Sequence, residues 1–389
     1  MNSKPTVLFV VHSWGGGTIR FACELADLVS DHVTVVWAWG VDNESFHISE
    51  RGPYFADSSF DLAAGLDAPL SVLNAFGLCR ANIVHTIGLQ NYIHPLVERL
   101  GIPYDVTFTD YHHFSTAPHF EDDTGLFVGD VAVSAIQRTA RDNILPLLRN
   151  AKRRIAVSAD LARRIGPFMP GLPVIPVRIF EAESPINVPV NVNPLADGEV
   201  MRVLALGRPH PTKGLATIIE VARRAQQENF PLEIACLGEV DQETAGLLGL
   251  QPHVRVLGAY AQEELTNIVA SLKPHLAWFP FNVPETHSYA LSDAMRSGLP
   301  VLASGIGAVA ERVIGRQATW VVPFDGADAD THFRWLKRLY RDRMQTTAAY
   351  VPVDHLPPVL ERFYPDAYLA PILKSRWPPL RWLHRLMNR

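Results

Sequence analysis

"MRVLALGRPHPTKGLATIIE" (residues 201–220) decides how this chain folds. An apolar run over 201–208 closes at a glycine and an arginine, a loop with two prolines follows, and a helical pattern then runs over 214–228. A strand that turns directly into a helix is the repeating unit of a parallel α/β sheet. The unit recurs downstream. "LEIACLGE" (232–239), "HVRVLGA" (253–259), "HLAWFPF" (275–281), "PVLAS" (300–304) and "ATWVVPF" (318–324) read as strands, with helices expected over 262–272 and 287–297. Upstream, "TVLFVVHS" (6–13), "HVTVVWAW" (32–39), "NIVHT" (82–86) and "PYDVTFT" (103–109) have the β-branched and aromatic content of strands buried on both faces. Helical patterns at 18–30 and 89–101 lie between them, and "RRIAVSADLARRIG" (153–166) repeats the unit. Between the halves, "AESPINVPVNVNPLADGEV" (182–200) holds three prolines and three asparagines without helical periodicity, and reads as a linker.

The expected fold class is therefore α/β: two doubly wound Rossmann-like domains in series, facing a central cleft. The boundaries read as 1–182, a linker at 183–200, 201–350, and a C-terminal segment at 351–389 packing back on the first domain. A length of 389 residues suits two domains of ordinary size. With 35 basic against 40 acidic residues, the net charge of −5 argues against a nucleic-acid-binding surface. The three cysteines, Cys23, Cys79 and Cys236, are far apart and form no CxxC pair, so neither a disulfide framework nor a zinc knuckle is expected. The opening "MNSKPTVLFVVHSW" has too short an apolar run for a secretory signal, and no stretch reaches the roughly 20 apolar residues that span a bilayer. A cytoplasmic location follows as the expectation, with association at the inner face of the cell membrane as its variant.

In open α/β sheets, ligands bind beyond the carboxyl ends of the strands, so the loops there hold the candidate residues. After the first strand, Gly15, Gly16 and Gly17 leave the backbone bare at a helix N-terminus, where a polar or anionic group can approach. The spacing is not GxGxxG, which disfavours a dinucleotide site. In the second half, Arg208 and Lys213 flank a strand-to-helix loop, a placement suited to a diphosphate and distinct from a Walker loop. "PETHSYALSDAMRSGLPVLASGIGAVAERV" (284–313) sets Glu285 just before a helix and Asp293 within it. Carboxylates accept paired hydroxyl hydrogen bonds, as from a ribose or pyranose, while the amides of His287, Ser288 and Tyr289 suit phosphates between them. Read singly, each of these features is also compatible with an ordinary turn, exposed cations or a solvated helix.

Taken together, G-R-x4-K-G, P-E-x7-acid with A-M-x-S-G-L-P-V-L-A-S, and G-x-x-x-E-R-V resemble the retaining glycosyltransferases of family 4, of GT-B fold and bacterial surface-polysaccharide type. The likeness covers nearly the whole chain and is strongest over 201–324. It implies that Arg208 and Lys213 grip the donor diphosphate, that Glu285 contacts the transferred sugar, and that Asp293 binds the nucleotide ribose. Asp293 departs from the usual Glu by one methylene. The resemblance also implies an acceptor side in the first domain, where "FTDYHHF" retains Asp110 but has Thr109 in place of a common histidine. Asp110 is the catalytic candidate there, with His85 and His112 beside it.

The implied activity is transfer of a hexose, with retention, from a nucleoside diphosphate sugar to a glycan or lipid-linked glycan in polysaccharide or lipopolysaccharide synthesis. No DxD triplet is present, and no metal or other cofactor is expected. The tail "LKSRWPPLRWLHRLMNR" (373–389) interleaves basic and aromatic residues without an acid, as a peripheral contact with an anionic membrane requires. Two alternatives stay open: a sugar-nucleotide epimerase on the same fold, which "YHHF" keeps open although G-R-x4-K-G with P-E-x7-D favours transfer, and a catalytically silent partner that binds a sugar nucleotide or glycan.

Overall fold

The computed structural model describes residues 4–115, 117–130, 135–181, 188–324, 328–345 and 356–374. The chain divides into two compact units. The first is Met1–Thr116, Ala132–Phe180 and Pro357–Arg389; the second is Ala117–Val131 and Glu181–Leu356. The short excursion at 117–131 thus leaves the first unit and packs with the second.

The first unit is built on eight strands: β1 (Thr6–Val10), β2 (Thr34–Val41), β3 (Ser45–Ser49), β4 (Ser58–Asp61), β5 (Leu78–Ile83), β6 (Tyr104–Phe108), β7 (Arg153–Ala156) and β8 (Ile175–Pro176). Their order is β4-β3-β2-β1-β5-β6-β7-β8. From β2 to β8 every pairing is parallel. Val7 to Val10 are fully buried, as an apolar run covered on both faces must be. The helix Gly16–Val29 crosses from β1 to β2 and buries Ile19, Phe21, Ala22 and Leu25.

A purely parallel sheet was expected, and β3 and β4 depart from it by pairing antiparallel at one edge. Asp42 and Asn43 both have positive φ, 53° and 57°, and Glu44 N–H donates to the Val41 carbonyl at 2.9 Å. Two left-handed residues in a tight loop make a hairpin turn whose twist matches the strands it joins. The alternating S-F-H-I-S that follows is the companion signal in sequence.

The second unit holds six strands, all parallel: β9 (Met201–Leu206), β10 (Leu232–Leu237), β11 (Val254–Gly258), β12 (Leu276–Phe279), β13 (Val301–Ser304) and β14 (Thr319–Val322). They are ordered β11-β10-β9-β12-β13-β14, so the direction of winding reverses between β9 and β12. Adjacent residues face opposite layers. Val203 and Trp278 join Ile218, Val221 and Phe333 on one side, while Leu204 and Phe279 join Leu291, Met295 and Val309 on the other. Within residues 188–200, Leu195 is buried in the first of these cores, and Asn191 N–H donates to the Gly298 carbonyl at 2.8 Å.

Residues 356–374 lie against the first sheet through one buried charge cluster. Asp105 is fully buried at the start of β6 and receives two hydrogen bonds from Arg80, at 2.7 and 2.5 Å, and one from Arg153 at 2.6 Å. Arg153 also donates to the carbonyls of Ala367 and Tyr368, at 3.0 and 3.1 Å, and lies over the Phe363 and Tyr368 rings. The basic tail singled out above falls, from 375 onward, outside the described residues.

Removing one partner of a buried pair leaves charge without compensation. We expect Asp105→Asn to destabilise the first unit by roughly 3–5 kcal/mol, read as a lowered urea midpoint for that unit's transition. An unchanged midpoint would mean that the cluster is merely tolerated.

Candidate functional site

In the second unit, the loops after β9 and β12 flank the point where the winding reverses, the crevice position of doubly wound sheets. Their backbones touch. Asn282 N–H donates to the Thr212 carbonyl, and its side-chain amide to the Pro211 carbonyl, both at 3.0 Å. Gly214 has φ of +81°, and a Cβ there would lie 1.9 Å from the Pro280 carbonyl oxygen, so only glycine permits this approach. Lys213 is thereby set over the Phe281 ring, with its ammonium 4.8 Å from the ring centroid and paired with Glu285 Oε1. The main chain of Glu285 is fixed in turn, its carbonyl accepting from Ala308 N–H at 2.6 Å.

Glu285 is 7% exposed. Burial pushes its carboxyl upward, but the Lys213 ammonium beside it, with the His119 ring 3.9 Å away, outweighs this and holds it below the usual carboxylate range. A buried, ionised carboxylate is thus maintained beside a cation. Arg208 belongs to the same β9 loop but stays exposed, its guanidinium 3.9 Å from Asp241.

The helix expected over 287–297 spans Tyr289–Arg296, so His287 and Ser288 precede it. Ser288 caps the helix, its hydroxyl accepting from Leu291 N–H at 3.3 Å, and has φ of +68°. A non-glycine residue in that region costs on the order of 1–3 kcal/mol. Buried Arg312 offsets this, donating to the carbonyls of His287 and Ser288 at 2.8 and 2.9 Å. Its other nitrogen donates to Ser292 Oγ at 2.7 Å and Glu181 Oε1 at 2.8 Å. Glu181 also accepts from Ser292 at 2.8 Å and pairs with Arg296, while the His287 ring lies 3.3 Å away. Burial pushes the Glu181 carboxyl up, yet these partners bring it down to about 2. Arg296 continues to Asp293 at 2.7 Å, whose other oxygen accepts from the Tyr260 hydroxyl at 3.0 Å. Asp293 and the 287–288 backbone are therefore joined through Glu181, Arg296 and Arg312, none of which was given a role from sequence, although Arg312 is the arginine of the E-R-V motif.

The first unit presents a different neighbourhood at the carboxyl ends of β1, β5 and β6. Gly15 and Gly16 both have positive φ, 81° and 76°, and no heavy atom lies within 4 Å of a Cβ added at either, so the backbone is bare there. Gly17 lies in the first turn of the helix Gly16–Val29. Thr109 shares a hydrogen bond of 2.9 Å with Thr18. The structure brings Asp110, His85 and His112 together. His85 is fully buried; its Nδ1 accepts from Ile87 N–H at 3.1 Å, and its Nε2 lies 3.0 Å from Asp110 Oδ2. The other Asp110 oxygen accepts from His112 N–H at 2.9 Å. His112 stacks on His85 at 4.9 Å, and His12 meets it edge-on at 4.6 Å.

Burial pushes the Asp110 carboxyl up, but the His85 ring and the His112 amide overcome this and hold it well below the usual carboxylate range. Burial first, and His85 second, depress the histidines: His12 and His112 to about 4, His113 to about 3. His12 and His113 escaped the sequence reading, although both sit in the quoted stretches "HSW" and "YHHF". Among the described residues, no group of three or more His, Cys, Asp or Glu side chains is arranged to hold a metal ion, and no helix is long and apolar enough to cross a membrane.

These depressed histidines fix the direction of a pH dependence. The unfolded chain takes up protons near pH 6.5, whereas the folded rings resist until much lower pH, so their contribution to stability is complete above about pH 6.5 and declines on acidification by about 1.4 kcal/mol per pH unit for each excluded proton. We expect the melting temperature to fall between about pH 6.5 and pH 4, and His113→Phe to flatten that fall. A wild-type profile flat across that window would contradict the burial of these rings.

Residues 201–342 match the family model described as glycosyl transferases group 1. No curated protein matches the sequence. Among solved structures, sucrose-phosphate synthase from Thermosynechococcus elongatus is 17% identical, with a TM-score of 0.58 over 87% of this chain and 90% of that one. HepE of Anabaena, solved in complex with UDP-glucose, is 14% identical, with a TM-score of 0.60 over 87% and 91%. A glycosyltransferase from Rickettsia africae is 13% identical, with a TM-score of 0.60 over 87% and 89%. At such identities the likeness concerns the fold. Residues 201–342 thus match a group 1 glycosyltransferase domain, in a chain whose two α/β units have the GT-B fold.

Proposed function

We propose that this protein transfers a hexose, with retention of anomeric configuration, from a nucleoside diphosphate sugar to a glycan or lipid-linked glycan acceptor. The observation that carries this reading is the buried Glu285 carboxylate paired with Lys213 at the β9/β12 crevice. The group 1 match over 201–342 and the UDP-glucose in the HepE structure support a sugar-nucleotide donor. Lys213 and Arg208 take the diphosphate, Glu285 accepts a hydroxyl of the hexose, and Asp293 faces the ribose. The 287–289 backbone serves the phosphates, with its shape held by Arg312. On the first unit, Gly16, where the backbone is bare, with Gly17 beside it, serves the donor, and the Asp110, His85 and His112 group serves the acceptor.

In the reaction, the bond from the anomeric carbon to the diphosphate oxygen breaks, its electron pair staying on the diphosphate. The acceptor oxygen bonds to the anomeric carbon from the same face, and its proton passes to the departing phosphate oxygen. Cations already in place as that charge grows lower the barrier because they need no reorganisation. Glu285 opposes the positive charge that develops on the sugar ring. No residue is assigned as a covalent nucleophile. The assignment to cell-surface polysaccharide or lipopolysaccharide synthesis rests on the family resemblance and the basic, aromatic tail at 373–389.

Calorimetry against UDP-, GDP-, dTDP- and ADP-sugars tests the donor. One should bind, and Arg208→Ala should weaken it by about 1.5–3 kcal/mol, the range for a charged hydrogen bond. Binding of no donor by folded protein would end the reading. With the donor known, Glu285→Gln should lower turnover by about 10²-fold or more while leaving nucleotide affinity nearly intact, and Asp293→Ala should weaken nucleotide binding itself. Equal, small effects from both would reduce Glu285 and Asp293 to structural groups.

A further inference from the structure

The Glu285 carboxylate meets a third element besides the β9 and β12 loops. Residues 117–131 leave the first unit and pack with the second, and they carry His119. Their core is a short hairpin. Glu121 bridges Phe127 antiparallel, and Asp122 Oδ1 accepts from Thr124 N–H, Leu126 N–H and the Thr124 hydroxyl, at 2.9, 3.1 and 2.6 Å. The hairpin is seated on the same two loops that pair Lys213 with Glu285. Gly125 has φ of +80°, and a Cβ there would lie 2.5 Å from Pro211 Cβ, while Phe127 N–H donates to the Asn282 carbonyl at 3.2 Å. At its base, His119 N–H donates to Glu121 Oε2 at 2.7 Å, and the ring places Nε2 3.9 Å from Glu285 Oε1.

That separation is about 1 Å beyond a hydrogen bond. A ring nitrogen that faces a carboxylate carries the proton, since the other tautomer sets lone pair against lone pair. The His119 side chain is 23% exposed, so the ring is not locked in a core. As the protein stands, the close partner of Glu285 is Lys213. A donor changes this, because the proposed reading gives Lys213 to a diphosphate. The ammonium is then drawn toward a group of greater negative charge, and that same charge repels the carboxylate. A buried carboxylate so placed finds another partner or takes up a proton. Burial raises the Glu285 carboxyl, and against it act Lys213 first, His119 second and His287 last. His287 already faces Glu181 at 3.3 Å, and His210 lies in the field of Arg208 and Lys213 on the β9 loop. His119 is the group in position to act.

We infer that His119 is a positioning residue that takes over the Glu285 carboxylate, by donating its Nε2–H to Oε1, when a donor diphosphate draws Lys213 away. The inference rests on the proposed transferase reading and deepens it. Glu285 stays ionised while positive charge develops on the sugar ring, which a protonated carboxyl could not oppose.

The test counts the protons taken up when a donor binds the full chain. Calorimetry in two buffers of unlike ionisation enthalpy supplies the count, at about pH 7, above the ordinary histidine value. UDP-glucose, UDP-galactose, GDP-mannose and ADP-glucose serve as probes, because a doubly esterified diphosphate is fully ionised there. The wild type should take up few protons, and any share from His210 and His287 is common to the variants. His119→Phe should take up close to one more, since a buried carboxylate without a cation can titrate as high as about pH 8–9. His119→Gln, whose amide nitrogen reaches nearly as far as Nε2, should return uptake to the wild-type level. A merely structural ring would instead be replaced better by Phe than by Gln. His119→Ala gives the same reading as Phe where the larger ring does not fit, and adding Glu285→Gln to His119→Phe should remove the extra proton. A donor that binds with equal uptake in wild type and His119→Phe overturns the inference alone, as does His119→Gln behaving like His119→Phe. Binding of no donor by folded wild type counts against the transferase reading, and the inference falls with it.

Discussion

A carboxylate removed from water must find a cation or take up a proton, and much of the second unit's local architecture follows from how Glu285 meets that requirement. Its partner, Lys213, is on a different loop, after a different strand. For the two to pair, the β9 and β12 loops must touch through their backbones, which Gly214 permits and Asn282 secures with two hydrogen bonds. That apposition occurs where the strand order reverses, because only there do neighbouring strands send their helices to opposite faces and leave a crevice. The ion pair is thus a consequence of topology as well as a reason for the glycine and the asparagine.

The same logic extends to the Glu181 network. Two arginines and two acids balance in charge, and Arg312 spends two hydrogen bonds on carbonyls that a positive φ at Ser288 has turned away from helical geometry. Replacing such a network with apolar side chains is often neutral for stability. Its worth here lies in shape, since it holds the backbone between Glu285 and Asp293 in a conformation that local preference disfavours. Asp293 is gripped by Arg296 and Tyr260, so its carboxylate is fixed in position by partners on other turns and loops.

The elements legible in sequence were those with strong local signals. Apolar runs rich in β-branched and aromatic residues marked most strands of both sheets. Lys213, Glu285, Asp110 and His85 stand out in sequence because each follows an expected strand end, and the structure pairs Lys213 with Glu285 and His85 with Asp110. The β3–β4 pair was missed although Asp42 and Asn43 mark its turn, since short, half-polar strands lack the apolar density that identified the others. Glu181, Arg296 and Arg312 were missed for a different reason. Their partners are more than a hundred residues apart in the case of Glu181, and no local pattern encodes a pairing of that range. Likewise, "YHHF" gives no hint of which histidine is buried without a partner; that depends on Phe108 and Phe114 around it.

The two units solve opposite electrostatic problems with the same scaffold. In the second, cations are brought beside buried carboxylates, so the strand ends there can hold a ligand that carries or releases negative charge. In the first, burial keeps three histidines neutral around one ionised aspartate. Histidines that resist protonation down to about pH 4 or below would be poor partners for phosphate but good ones for hydroxyl groups, since each offers a donor and an acceptor with no countercharge to desolvate.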